Sequence, residues 1–183
     1  MRRRRLRIGL VAVAVPVVGV LALLFWPASA PGASAGPVSV ALPFQLDDVR
    51  APAGPVSLSA HPGHPVVLNF FAAWCDPCHA ELPLLGDLQR RTTQAGGHVQ
   101  VIGVDVQDNR DLATQLLADA KVGFPAGYDP RRDVSGAWGV DGLPVTVFIA
   151  PDGTIVDYHR GQLRSGDLDR RVKALLSRSG GLA

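Results

Sequence analysis

The chain of 183 residues predicts one α/β domain, a mixed β-sheet flanked by helices with a short β-hairpin ahead of it. Three observations carry that prediction. The apolar run Pro65–Phe71 leads through the chain's only two cysteines, Cys75 and Cys78, into a helical pattern from Glu81 to Arg91. A second apolar run, Val99–Val106, is followed by another helical pattern, so the first strands are joined through helices. A strand beginning at Pro144 then meets the turn pair Asp152-Gly153 and returns through Thr154–Tyr158, which adds a hairpin to the sheet. A hydrophobic content of 47% supports a packed core.

The N-terminus is a separate matter. Met1–Arg7 is a basic cap, and Ile8–Trp26 follows with no charged or strongly polar residue. As helix this segment measures about 28 Å, enough to cross a bilayer core. Positive charge in front keeps the N-terminus cytoplasmic and places everything after Trp26 outside. Residues 1–26 are therefore expected to be a retained signal anchor, with single-pass attachment to the cell membrane. Cleavage and secretion are the alternative, because Ala28-Ser29-Ala30 and Ala33-Ser34-Ala35 both resemble cleavage sites. A twin-arginine export signal is a further reading of the arginines. Residues 27–40, rich in Ala, Ser, Gly and Pro, read as a flexible linker, which leaves 41–183 as the folded domain. The formal net charge of +2 comes from Arg2, Arg3, Arg4, Arg5 and Arg7; the remaining 13 basic and 16 acidic residues give about −3. Nothing in the domain suggests a nucleic-acid surface.

Pro43–Asp47 and Val56–Leu58 are expected as the strands of the hairpin. His61-Pro62-Gly63-His64-Pro65 reads as a surface turn rather than a metal site. Pro65–Phe71 has the apolar continuity of a strand covered on both faces. Gly96-Gly97 stops the first helix. Asn109–Lys121 reads as a helix starting near Asp108 or Asn109, with Leu112, Leu116 and Leu117 on one face. Phe124–Tyr128 is expected as a short strand and Arg131–Trp138 as a short helix ending at Gly139. A closing helix from Arg164 or Ser165 to Ser177 presents Leu168, Val172, Leu175 and Leu176 as its buried stripe.

The Cys75–Cys78 spacing points to chemistry. A strand that hands directly to a helix places Cys75 at or beside the helix N-terminus, where free N–H groups and the dipole favour a thiolate. Cys78, about one turn further in, is positioned to resolve a mixed disulfide. Pro77 suits the first turn. A static disulfide closing two residues would constrain almost nothing. A zinc site lacks a second Cys pair, and His79 does not share the face of Cys78. A peroxiredoxin reading fails for want of a Pro-x-x-x-Thr-x-x-Cys pattern around Cys75.

Trp74-Cys75-Asp76-Pro77-Cys78 after an Asn-Phe-Phe strand resembles the thioredoxin superfamily, and more narrowly its membrane-tethered TlpA/ResA/CcmG-type thiol–disulfide oxidoreductases. Glu81 and Pro83 continue the pattern as Cys-x-x-Cys-x-x-Glu-x-Pro. Gly139-Val140-Asp141-Gly142-Leu143-Pro144-Val145-Thr146 is similar to the family's second signature. The resemblance runs from about Pro43 to about Leu176 and implies a thioredoxin-like sandwich. It implies that Pro144 is a cis-proline facing the Cys pair, with the backbone of Leu143 free to pair with an extended substrate. Val145 departs from the CcmG-like branch, which carries Glu there. Asn69 stands where thioredoxin has a buried Asp, and an amide cannot titrate; it reads as an ordinary sheet residue.

The expected reaction is thiol–disulfide exchange with no cofactor beyond the Cys75–Cys78 disulfide. Glu81, three residues after Cys78, is the candidate proton acceptor for Cys78; the alternative is a surface acid favoured near a helix start. Asp76 repels a thiolate on Cys75 and so favours a reductant, while His79 reads as an exposed helix residue. The expectation is an extracytoplasmic reductase of protein disulfides. Apocytochrome c in cytochrome c maturation is the substrate suggested by resemblance, and the electron donor is of the membrane thiol-transporter type. The alternatives are a disulfide-forming oxidase for secreted proteins and a non-enzymatic metal-binding thiol protein.

Overall fold

The computed structural model describes residues 40–50, 53–96 and 99–179. The basic cap, the Ile8–Trp26 segment and the linker up to residue 39 lie outside the described residues. Among those described, no helix is long and apolar enough to cross a membrane.

Among the described residues, seven strands and four α-helices follow in order: β1 (Gln45–Leu46), β2 (Val56–Ser57), β3 (Val66–Phe71), α1 (Asp76–Gln94), β4 (Gln100–Val106), α2 (Arg110–Asp119), β5 (Ala126–Asp129), α3 (Asp133–Ala137), β6 (Val145–Ile149), β7 (Ile155–Arg160) and α4 (Ser165–Ser179). β1 and β2 pair antiparallel as the expected hairpin, although each strand is only two residues long. The main sheet has the order β5-β4-β3-β6-β7. β3 lies parallel to β4, and β4 to β5, because helices connect them; β6 and β7 run antiparallel, because a tight turn connects them. All six residues of β3 are buried, Asn69 included, as its largely apolar run requires for the central strand.

Alternation along the strands divides the core. One face packs Val67 and Phe71 against Leu82 and Leu85 of α1, Leu117 of α2 and Leu168 of α4, and it also contains both cysteines. The other face packs Leu68, Phe70 and Val104 against Phe44, Val56 and Trp138. The hairpin is thereby tied to the domain, Phe44 meeting the Trp138 ring edge-on at 6.4 Å. Gly127 admits Leu46 so closely that a Cβ there would lie 2.8 Å from the Leu46 Cβ.

Several boundaries differ from expectation. α1 begins five residues before Glu81, because Pro77 occupies its first turn, and it runs on to Gln94 with Pro83 inside it on the exposed side. β5 starts at Ala126 rather than Phe124, whose ring is instead fully buried in the preceding loop. α3 is shorter than Arg131–Trp138, since Arg132 adopts a left-handed conformation (φ 63°) at its N-cap. Asn109 caps α2 as expected, its side chain accepting from the N–H of Asp111 (2.9 Å) and Leu112 (3.2 Å). Leu112 itself is 55% exposed; the buried stripe is Ala113, Leu116 and Leu117, and Leu112 sits at its edge in the first turn. Likewise Leu176 is 38% exposed, while Leu168, Val172 and Leu175 fill the i, i+4, i+7 line against the sheet. His61–His64 forms the expected turn, with Gly63 at φ 73°.

Gly103 on β4 provides a test of how tightly this face is packed. A Cβ there would stand 2.9 Å from the Phe71 ring and 3.2 Å from both Ala126 and the Phe124 ring. Gly103→Ala is expected to destabilise the domain by about 1–3 kcal/mol through overpacking. A lowered denaturant midpoint at unchanged m-value checks it.

Candidate active site

β3 ends at Phe71, and four residues later the chain enters α1 with Cys75 as its N-cap, in an extended conformation (φ −95°, ψ 95°). Cys78 lies within the first turn, its N–H donating to the Cys75 carbonyl at 2.9 Å. The two cysteines are joined as a disulfide with Cα atoms 5.3 Å apart. Cys75 is 4% exposed and Cys78 fully buried, so what surface the pair shows belongs to Cys75.

The approach to Cys75 is held from two sides. Asp108 accepts the Ala73 N–H, and the His79 Nε2 lies 2.7 Å from the Ala73 carbonyl, which requires that nitrogen to carry the proton. His79 is exposed, as expected, and through this bond it also clasps the loop. Trp74 is 60% exposed, and its Nε1–H donates to the Gln107 carbonyl at 3.1 Å. Asp76 is exposed in the first turn of α1 and Pro77 follows it.

Leu143–Pro144 is a cis peptide bond. Pro144 is buried and its carbonyl accepts from the Gly161 N–H at 2.9 Å, which fixes the loop before β6 against the end of β7. Leu143 is half-buried and packs against both core faces. A cleft of about 60 Å³ brings together Trp74, Gln107, Arg132, Asp141 and Leu143. Trp74 beside Cys75 and the Val140–Leu143 segment before Pro144 thus meet in one cleft, whose lining includes neither cysteine. A larger cavity of about 530 Å³ is lined by Val40, Leu42, Trp138 and Tyr158 and contains neither cysteine.

Glu81 is fully buried. Its Oε1 accepts from the Asn69 Nδ2–H at 2.6 Å, and its Oε2 accepts from the Leu163 N–H at 2.8 Å. Burial pushes its carboxyl up to about 7, with the Leu163 and Asn69 donors pulling the other way. The surface-acid reading of Glu81 is thereby replaced. Asn69 is more than an ordinary sheet residue, since it spans from Glu81 to the Thr146 hydroxyl at 3.0 Å. Its partnership with Glu81 was not visible in the sequence. The antiparallel register that sets Asn69 opposite Thr146 is what aims both polar groups at one spot. Among the described residues, no cluster of three or more His, Cys, Asp or Glu could hold a metal ion.

A family model described as the AhpC/TSA family matches residues 38–158. The chain is 32% identical over 122 residues to the thiol-disulfide oxidoreductase ResA of Oceanobacillus iheyensis, covering 66% of this chain and 62% of that protein. It is 34% identical over 125 residues to the thiol:disulfide interchange protein DsbE of Vibrio cholerae, covering 67% of this chain and 64% of that protein. The chain thus spans less than two thirds of the length of these curated relatives. A Chlorobium tepidum structure assigned as a thiol:disulfide interchange protein DsbE superposes with a TM-score of 0.68 at 27% identity, covering 76% of this chain and 96% of that one. The mixed five-stranded sheet with its N-terminal hairpin is a thioredoxin-like fold.

Proposed function

The chain belongs to the AhpC/TSA family, matched over residues 38–158, and from that membership we propose that it is a thiol–disulfide oxidoreductase of the ResA/DsbE type working through Cys75 and Cys78. The observation that carries the proposal is the Cys75–Cys78 disulfide at the N-terminus of α1, with Cys75 outermost. Helix-end N–H groups stabilise a thiolate at that position.

In the reducing direction the Cys75 thiolate attacks one sulfur of a substrate disulfide. A mixed disulfide forms and the first substrate thiolate leaves. Cys78 gives its proton to the Glu81 carboxylate, and its thiolate attacks the Cys75 sulfur. The second substrate thiolate leaves, and Cys75–Cys78 closes with the two electrons transferred. Glu81, poised at about 7, suits a group that must accept a proton near neutral pH. Leu143 makes no hydrogen bond through its backbone among the described residues, which leaves it free for an extended peptide beside Trp74. No cofactor enters these steps.

Direction, address and partners complete the proposal. The exposed Asp76 carboxylate beside Cys75 disfavours the thiolate and so favours a reductant. The Met1–Arg7 charge and the Ile8–Trp26 segment support a membrane anchor, with 27–40 as tether and 41–183 outside the membrane. Protein disulfides are the substrates, apocytochrome c among them by the ResA-type resemblance. A membrane thiol transporter supplies the electrons, because a single Cys pair cannot turn over in an oxidising compartment without a donor. Equilibrating the Cys75–Cys78 pair with thiol buffers tests the direction. A potential near or below about −270 mV is expected, whereas a value near about −120 mV would establish an oxidase and reverse the reading of Asp76.

A further inference from the structure

Asp105 is a buried acid that the exchange steps do not use. It lies on β4 in register with Phe71 of β3, at the end of the sheet where the chain turns toward Cys75. Alternation puts it on the same face as Gly103, the face whose core includes Phe71 and both cysteines. Its side chain is fully buried, and neither carboxyl oxygen receives an N–H or O–H.

The charged group that acts on it most is another carboxyl, that of Asp108, three residues further along the chain that leaves β4. Asp108 is already an acceptor twice over, from the Ala73 N–H and from the Asn109 N–H at 2.7 Å. The other charges that face Asp105 are engaged elsewhere. Arg110, on the first turn of α2, donates to the Asp48 carbonyl at 2.7 Å and lies 4.4 Å from the centre of the Tyr128 ring. Asp129, at the end of β5, accepts from the N–H of Val134 (3.3 Å) and Ser135 (2.8 Å). Asp108 is partly exposed, but an ionised Asp105 would be buried without a donor and beside a like charge. A protonated Asp105 that donates its O–H to Asp108 satisfies both groups.

We propose that Asp105 and Asp108 share one proton, and that this acid–carboxylate pair is a positioning device for the Ala73–Cys75 segment that presents the exchange sulfur. The positioning half rests on the reading of Cys75 as the reacting group. Burial, then the Asp108 charge, pushes the Asp105 carboxyl up to about 8, with Arg110 pulling it down. Above that pH the second charge repels Asp108. The Ala73 N–H loses its acceptor, and the adjoining Trp74–Gln107 link loosens with it.

The test uses the full-length protein. Infrared spectra of the Glu81→Gln variant are expected to show a protonated-carboxyl stretch at neutral pH that fades through about 8 and is missing when Asp105→Asn is added. In the wild type, where Glu81 also titrates, the same band is the component that persists to higher pH. In exchange with a small aromatic disulfide, the ratio of the Asp105→Asn rate to the wild-type rate is expected to be constant below neutrality. It should rise at least about threefold by about pH 9.5, since the amide donates to Asp108 at every pH and never acquires the repelling charge. Absence of the acid band overturns the shared proton. A band with a flat rate ratio overturns the positioning role. A wild type that exchanges at no pH would sink the function proposed for the Cys pair, while the band would still decide the shared proton.

Discussion

Cys75→Ser is expected to reduce exchange with protein disulfides by about three orders of magnitude or more, as loss of the nucleophile does in enzymes that form covalent intermediates. Cys78→Ser is expected to behave differently. It keeps the attacking sulfur and loses the resolving one, so a mixed disulfide with substrate accumulates. The asymmetry follows from burial. Cys75 is the N-cap of α1 and slightly exposed, whereas Cys78 is fully buried and its N–H is tied to the Cys75 carbonyl. Cys78 offers a substrate no exposed surface, whereas Cys75 offers a little. Non-reducing gels of the two variants, incubated with a disulfide-bonded substrate peptide, check this. Equal trapping by both would mean that either sulfur can attack, and no trapping by Cys78→Ser would favour a thiol protein that holds metal instead.

Glu81→Gln is expected to slow decay of the mixed disulfide by about a hundredfold near neutrality, the usual size of one positioned proton-transfer group. The deficit should shrink as pH rises, because solvent base then takes the Cys78 proton unaided. Glu81 has two donors aimed at it, Asn69 and the Leu163 N–H, and the glutamine amide can accept through only one of its two ends. One buried donor is left facing another, at about 1–3 kcal/mol. Stability should carry the same signature. Because the folded-state pKa of Glu81 is raised from 4.5 to about 7, its contribution is full below about 4.5 and lost as pH rises through about 7. That loss is about 3 kcal/mol. In Glu81→Gln the corresponding slope in unfolding free energy between these pH values should vanish. Stopped-flow resolution rates and denaturant titrations across pH 4–8 read both effects.

Much of this protein is legible without coordinates, and the legible part is local. The apolar run of β3, interrupted only by Asn69, identified the central strand, because a strand covered on both faces has no solvent-facing polar side. Asn109 announced the start of α2 because an N-cap side chain bonds only two or three residues ahead. The Cys75–Cys78 spacing placed both sulfurs at the start of α1, because strand and helix join there with no room between. Leu112 and Leu176 were misplaced for the opposite reason. A helical stripe gives a direction, and only the neighbouring sheet decides where its edge falls.

The sequence by itself determined the α/β class, the strand–helix junction, the place of the two cysteines and the helix that carries them. Only the tertiary structure decided what surrounds them. Asn69 meets Glu81 across 12 residues, Ala73 meets Asp108 across 35, and Glu81 meets Leu163 across 82. These contacts depend on β3 lying between β4 and β6 in one register, and a one-residue slip would turn every such side chain to the opposite face. A polar residue inside an apolar strand has no partner within its own segment. Whether Asn69 and Asp105 are idle or engaged is settled by what the rest of the fold places opposite them.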